Sequence, residues 1–77
     1  MSQSAKKFAE KLNHCLDESG APSSLRERAA VLSKMINISK QEAWSLLNGQ
    51  QIPSAQLIEA IANEFEVEMK WLENNSK

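Results

Sequence analysis

Four polar residues in one short segment have side chains that hydrogen-bond well to nucleic-acid bases: Lys40, Gln41, Ser45 and Asn48. On a helix that turns about 100° per residue, Gln41, Ser45 and Asn48 point away from the segment's apolar residues, and Lys40 projects from the first turn. An α-helix fits the DNA major groove, where glutamine suits adenine, lysine suits guanine or phosphate, and serine suits either. The spacing therefore predicts a base-reading helix face, with an ordinary solvated face as the alternative.

Candidate phosphate contacts lie beside this face. Arg26 and Arg28 flank the first of two predicted helix N-termini, and Ser39 begins the second. Helix N-termini attract phosphate through their free N–H groups and the helix dipole. Trp44 lies on the flank of the base-reading helix and is a further candidate contact. Its alternatives are packing against the loop that follows or anchoring a protein interface.

Two matched capping signals determine where these helices begin. Ser24-Leu-Arg-Glu27 and Ser39-Lys-Gln-Glu42 are both Ser-x-x-Glu, the capping box. In this motif the serine hydroxyl accepts a hydrogen bond from the N–H three residues later, and the glutamate side chain accepts one from the N–H of the serine. Residues 25–36 form an amphipathic helix, and only Asn37 and Ile38 separate it from the second cap. Asparagine tolerates the left-handed backbone that so sharp a turn requires. A helix, a short turn and a second helix predict a helix-turn-helix over about residues 25–48.

The remaining elements are also predicted to be helical. We expect helices over residues 5–18, 40 to about 48, 55–65 and about 68–73, with Gly20 and Gly49 as stops and Ser54 as a third cap. No segment alternates at period two, so no sheet is expected. The predicted fold class is all-α: a compact five-helix domain spanning residues 1–77, with short flexible ends at about 1–4 and 74–77.

Three-and-four spacing identifies one buried stripe on each helix. The residues expected inside are Ala5, Phe8, Ala9, Leu12, Cys15, Leu16, Ala29, Leu32, Ser33, Ile36, Ala43, Leu46, Leu47, Leu57, Ile58, Ile61, Ala62 and Phe65, followed by Met69, Trp71 and Leu72 on the last helix.

Composition and charge exclude several classes of protein. The 77 residues are 42% hydrophobic, which indicates a globular chain, and none of the apolar runs is long enough to span a membrane. The net charge of −1 argues against a charge-only nucleic-acid binder. Six basic and four acidic groups give residues 1–38 a charge of +2, whereas three basic and six acidic groups give residues 39–77 a charge of −3. The lone Cys15 fits a reducing cytoplasm.

An enzyme is not expected. His14 and Cys15 are neighbours on one helix, so their side chains diverge by about 100° and do not form a nucleophile–base pair. Cys15 is predicted to be a small core residue and His14 a surface residue, and together they do not complete a zinc site. We therefore predict no catalytic residue, no metal and no cofactor.

The chain resembles the lambda-repressor-like (XRE) helix-turn-helix regulators of bacteria and phages. The stretch RERAAVLSKMINISKQEAWSLLNGQQIPS carries the family's small residue at Ser33, the cap at Ser39 and the closing Asn48-Gly49 before Pro53. IANEFEVEMKWLENN is similar to the tail that closes the core of these domains. With the first helix included, the resemblance covers nearly the whole chain.

The resemblance implies a small cytoplasmic repressor that binds double-stranded DNA at a palindromic operator as a homodimer. It places Lys40, Gln41 and Ser45 at base-reading positions with Asn48 at the edge, and makes Arg26 and Arg28 phosphate candidates. Many relatives dimerise through a second domain, so we expect a dimer here to use this domain alone. The candidate face is the last two helices with Trp71, or otherwise the first helix, with core closure as the alternative role of Trp71.

The competing hypothesis is a helix-turn-helix fold that binds protein, as an antirepressor, antitoxin-like partner or adaptor. Net acidity favours this hypothesis. Two residues favour it as well: Trp44, and Ala29, which stands where many family members have a DNA-contacting glutamine. The partner would bind through Trp44 or the last two helices.

Overall fold

The computed structural model describes residues 3–73, in which there are five α-helices and no strands. The helices are α1 (Gln3–Glu18), α2 (Leu25–Met35), α3 (Lys40–Leu47), α4 (Ala55–Phe65) and α5 (Met69–Glu73). The prediction of a compact all-helical fold is confirmed, with a radius of gyration of 11.1 Å. None of the helices in this range has the length and hydropathy that a membrane-spanning segment needs.

α4 has the predicted boundaries, whereas those of the other helices differ from the predicted ones by one or two residues. α1 begins at Gln3 instead of at residue 5, so it includes part of the predicted flexible end at residues 1–4. α2 ends at Met35 and α3 at Leu47, each one residue early, and α5 begins at Met69. The other predicted end, residues 74–77, lies outside the described residues.

Serine caps begin α2, α3 and α4, as predicted, but Glu27 and Glu42 do not accept the predicted return bonds from the N–H groups of Ser24 and Ser39. The hydroxyl of Ser24 accepts from the N–H of Glu27 at 3.4 Å, that of Ser39 from Glu42 at 3.0 Å, and that of Ser54 from Leu57 at 3.2 Å. Each bond satisfies an N–H that has no partner within its own helix, which fixes the residue at which the helix starts.

The first four helices end in the same way. A residue with a left-handed backbone follows each helix, and the next N–H bonds to a carbonyl five residues earlier, as in a Schellman motif. The left-handed residues are Gly20, Asn37, Gly49 and Glu66. The bonds run from Ala21 to Leu16, Ile38 to Ser33, Gln50 to Ser45 and Val67 to Ala62, all between 2.9 and 3.0 Å. Three of these stops were predicted; Glu66 was not, because glutamate has no special tolerance for this conformation.

One hydrophobic core draws side chains from all five helices. Its members are Phe8, Leu12, Leu16, Ala29, Leu32, Ala43, Leu46, Leu47, Ile58, Ile61, Ala62 and Leu72, all predicted to be inside. Ile36, Leu57, Phe65 and Met69 pack against this core but are only partly buried, and Trp71 is 38% exposed. α3 packs against α2 and α1, while α5 packs against α4 and α1.

Candidate nucleic-acid interface

The outer face of α3 carries the four residues predicted to read bases. Lys40, Gln41 and Asn48 are exposed, and Ser45 is half-buried. The opposite side of the helix is anchored by Ala43, Leu46 and Leu47, which are at most 4% exposed. The helix is thus held on one side by the core and presents polar side chains on the other, as the spacing predicts.

Trp44 adds a large apolar surface at the flank of this face. Its side chain is 40% exposed, so it is not a core residue. Ile52, in the loop between α3 and α4, is 58% exposed. Tryptophan is a frequent anchor at protein interfaces. The surface around α3 therefore combines hydrogen-bonding groups with apolar side chains in solvent.

The predicted phosphate contacts at the helix N-termini occupy different environments. Arg26 is exposed in the first turn of α2, and Ser39 is exposed at the N-terminus of α3 with its hydroxyl oxygen engaged in the cap. The first turns of α2 and α3 also contain Glu27 and Glu42. These carboxylates offset part of the positive potential at the two N-termini, so Arg26 and Lys40 must supply most of the local attraction for phosphate.

The prediction for Arg28 needs correction, because its side chain is only 9% exposed. Its Nε donates to the carbonyl of Pro22 at 2.6 Å, and its Nη1 donates to Oδ1 of Asn13 at 2.8 Å. Its Nη2 pairs with the Asp17 carboxylate. The guanidinium thus joins α2 to α1 and to the loop between them. Arg28 is therefore not part of the candidate interface.

The burial of Arg28 had a signal in the sequence. Position 28 is three residues after Leu25 and four before Leu32, so it lies on the apolar stripe of α2. A charged residue at such a position is buried when several acceptors surround its head group.

Lys6 is a cation near the candidate interface that local spacing did not identify. A Cβ atom placed on Gly49, just after α3, would lie 3.4 Å from the Lys6 Cα. The side chain of Lys6 is exposed. The first turns of α1 therefore bring a positive charge to the C-terminal end of α3, the end that carries Asn48.

Cys15 and His14, neighbours on α1, lie in different environments. The thiol of Cys15 is buried, and desolvation together with the nearby Glu18 carboxylate raises its pKa, which disfavours the reactive thiolate. His14 is exposed, with Nε2 3.9 Å from a Glu18 oxygen. Both sequence predictions, a core cysteine and a surface histidine, are confirmed. Within residues 3–73, His, Cys, Asp and Glu side chains form no cluster of three that could hold a metal ion.

No family model, curated protein or solved structure matches this chain. The resemblance to lambda-repressor-like regulators therefore rests on the sequence motifs quoted above and on the features of α2 and α3 that suit DNA binding. The relevant features are the short connection between the two helices, the exposed polar face of α3, and three exposed cations: Lys40 in the first turn of α3, Arg26 in the first turn of α2 and Lys6 beside Gly49.

Proposed function

We propose that the protein is a sequence-specific DNA-binding transcriptional regulator in which α2 and α3 form a helix-turn-helix. The observation that carries the proposal is the polarity of α3, with a fully buried stripe on one side and Lys40, Gln41 and Asn48 exposed on the other. A helix held rigidly in this way can place side chains against base edges without losing its own packing.

The dimensions of α3 suit a major groove. With its side chains an α-helix is about 10–12 Å in diameter, which is close to the width of the groove of about 12 Å. Ser39 caps the N-terminus of the helix, Lys40 is its first residue, and Gly49 follows its C-terminus. Because Lys40 is exposed in the first turn, it would approach the DNA together with the helix N-terminus. In a helix-turn-helix, the N-terminal residues of the second helix make the base contacts.

The affinity for phosphate must come from local charge, since the net charge is −1. Arg26 lies at the start of α2, Lys40 at the start of α3, and Lys6 beside the end of α3. These three exposed cations come from three helices, and we propose that they contact the phosphates beside the bases that α3 reads. We further propose that a homodimer binds a palindromic operator, because one eight-residue helix reads only a few base pairs and a two-fold pair doubles the site.

Capture of sheared genomic DNA by the tagged protein at near-physiological salt, followed by sequencing, tests the proposal. A few enriched sites with two-fold symmetry are the expected result. If folded protein enriches no site, the proposal fails. The competing function, a protein-interaction module, would then be favoured, and Trp44, with 40% of its side chain in solvent, would be the first residue to examine.

Replacing Gln41 with alanine is expected to weaken binding to the best site by about 1–3 kcal/mol and to relax the base preference at one position, because a bidentate amide contact is lost. Titration of labelled wild-type and single-base-variant sites measures both effects. Asn63→Ala, which removes an exposed amide from α4, is the matched control. An equal loss on every sequence would mean that Gln41 does not read bases.

Replacing Arg26 with alanine is expected to lower the slope of log K against log salt by about one, since one fewer counterion is released on binding. The base preference should stay the same. Lys70→Ala removes one exposed positive charge from α5 and should leave the slope at the wild-type value. If the two variants change the slope equally, net charge alone explains the effect and Arg26 makes no phosphate contact.

A further inference from the structure

A second surface, separate from the face of α3, has the shape of a binding groove. The groove, of about 740 Å³, lies between the C-terminal part of α1 and the connection from α4 to α5. This volume falls within the range of about 300–1,000 Å³ that is common for binding pockets. Phe65 and Val67 are partly buried in it, and Trp71 is 38% exposed. These three side chains give the groove an apolar floor.

Most of the charge around this floor is negative. Glu18, Glu64, Glu66 and Glu68 line the groove and are all exposed. Among the residues that the structure describes, no lysine or arginine lines the groove, and Lys11 contacts Trp71 from the side of α1. Four carboxylates around an apolar floor produce a local negative potential, which attracts cations and repels nucleic acid.

Trp71 is held in place from the α1 side. The Nζ atom of Lys11 lies 5.5 Å from the centroid of the indole ring and donates to the carbonyl of Trp71 at 2.6 Å. The His14 ring meets the indole edge-on, with 6.2 Å between centroids. Leu72, the next residue, is fully buried and anchors α5 to the core. The indole is therefore pre-positioned rather than free to rotate, which lowers the entropic cost of a contact with it.

We propose that this groove binds a cationic amphipathic helix of a partner protein. The apolar face of the helix would cover Phe65, Val67 and Trp71, and its lysines or arginines would meet the four glutamates. This is the helix-in-groove mode of recognition, with charge complementarity at the rim selecting the partner. The proposal is independent of DNA binding, because the groove contains none of the residues assigned to the face of α3.

Charge argues against a second copy of this chain as the occupant. In a two-fold dimer the same patch lies on both sides of the interface, so eight carboxylates would meet. Like charges brought together across an interface are unfavourable. This observation weighs against the dimer face predicted around Trp71, and the groove fits a partner of opposite charge better.

The test uses the Trp44→Phe protein, in which Trp71 is the one remaining tryptophan and reports on the groove. The probe is a helical peptide of leucine and lysine, with leucines at i, i+3, i+4 and i+7; the comparison peptide has glutamate in place of every lysine. A saturable change in Trp71 emission with the lysine peptide alone is the expected result. Binding should weaken as salt is raised, because the attraction is between exposed charges.

The variant Glu64→Gln/Glu66→Gln should weaken lysine-peptide binding about threefold to tenfold, while its unfolding curve stays close to the parent's. The matched control, Glu59→Gln/Glu73→Gln, makes the same change in net charge at exposed positions outside the groove and should bind within about twofold of the parent. Equal weakening by both variants, or equal binding of the two peptides, would overturn the proposal. So would sedimentation that shows a dimer tightened by Glu64→Gln/Glu66→Gln, which would assign the groove to a second copy.

Discussion

Replacing Leu46 with alanine is expected to lower the free energy of unfolding by about 3–5 kcal/mol, the largest effect of a single truncation in α3. Leu46 has no exposed surface and lies in the core cluster to which all five helices contribute. The loss combines the transfer free energy of the removed atoms with the cost of the cavity left behind. A chain of this length has a free energy of unfolding of roughly 4–12 kcal/mol, so the Leu46→Ala protein loses a large part of its stability.

Urea unfolding followed by circular dichroism at 222 nm measures this loss. Ile52→Ala, a truncation at a residue that is 58% exposed, is the control and should change the free energy by less than about 0.5 kcal/mol. A similarly small change for Leu46→Ala would contradict the packing described for α3. The same variant bears on function, since Leu46 is one of three buried side chains that hold the polar face of α3 in position.

Replacing Arg28 with methionine is expected to cost about 2–3 kcal/mol of stability. The methionine keeps much of the side-chain volume but leaves the carbonyl of Pro22 and the amide oxygen of Asn13 without their donor. Partly buried acceptors that lose a charged donor incur a desolvation penalty. The Asp17 carboxylate is 61% exposed and regains water, so its share of the loss is small.

Arg26→Met is the matched control, since Arg26 is on the same helix but exposed. Thermal and urea unfolding should place its stability within about 0.5 kcal/mol of the wild-type value. The two variants should also differ in DNA titrations performed well below their unfolding transitions: Arg26→Met should bind more weakly, and Arg28→Met should bind normally. A folded, stable Arg28→Met protein with impaired DNA binding would restore Arg28 to the phosphate contacts.

The two proposed surfaces differ in the sign of the charged residues near them. Lys40 lies in the first turn of α3, Arg26 in the first turn of α2 and Lys6 beside Gly49, whereas four glutamates and, among the described residues, no lysine or arginine line the groove. The sequence predicts part of this division, because its first half is net positive and its second half net negative. Glu18 belongs to the first half but lies in the groove, because α5 packs against α1. A protein with this charge distribution could bind DNA and a cationic protein segment at the same time.

Most of the secondary structure could be predicted from the sequence because its signals are local. A serine hydroxyl reaches an N–H three residues away, so the Ser24, Ser39 and Ser54 caps depend on their own segments. Asn37 takes a left-handed backbone at little steric cost, so the end of α2 was also predictable. The buried stripes followed from helical spacing, and with them the outward direction of Gln41 and Asn48.

Only the tertiary structure decided the features that depend on residues distant in the chain. Arg28 is buried because acceptors from α1 and the following loop surround its guanidinium. Glu66 takes a left-handed backbone, which lets Val67 pack against the core. Lys6 comes to lie beside Gly49, and Glu18 joins the glutamates of the α4–α5 connection, only when the helices pack. Local propensity carries no information about such contacts, because their free energy arises only when separate segments meet.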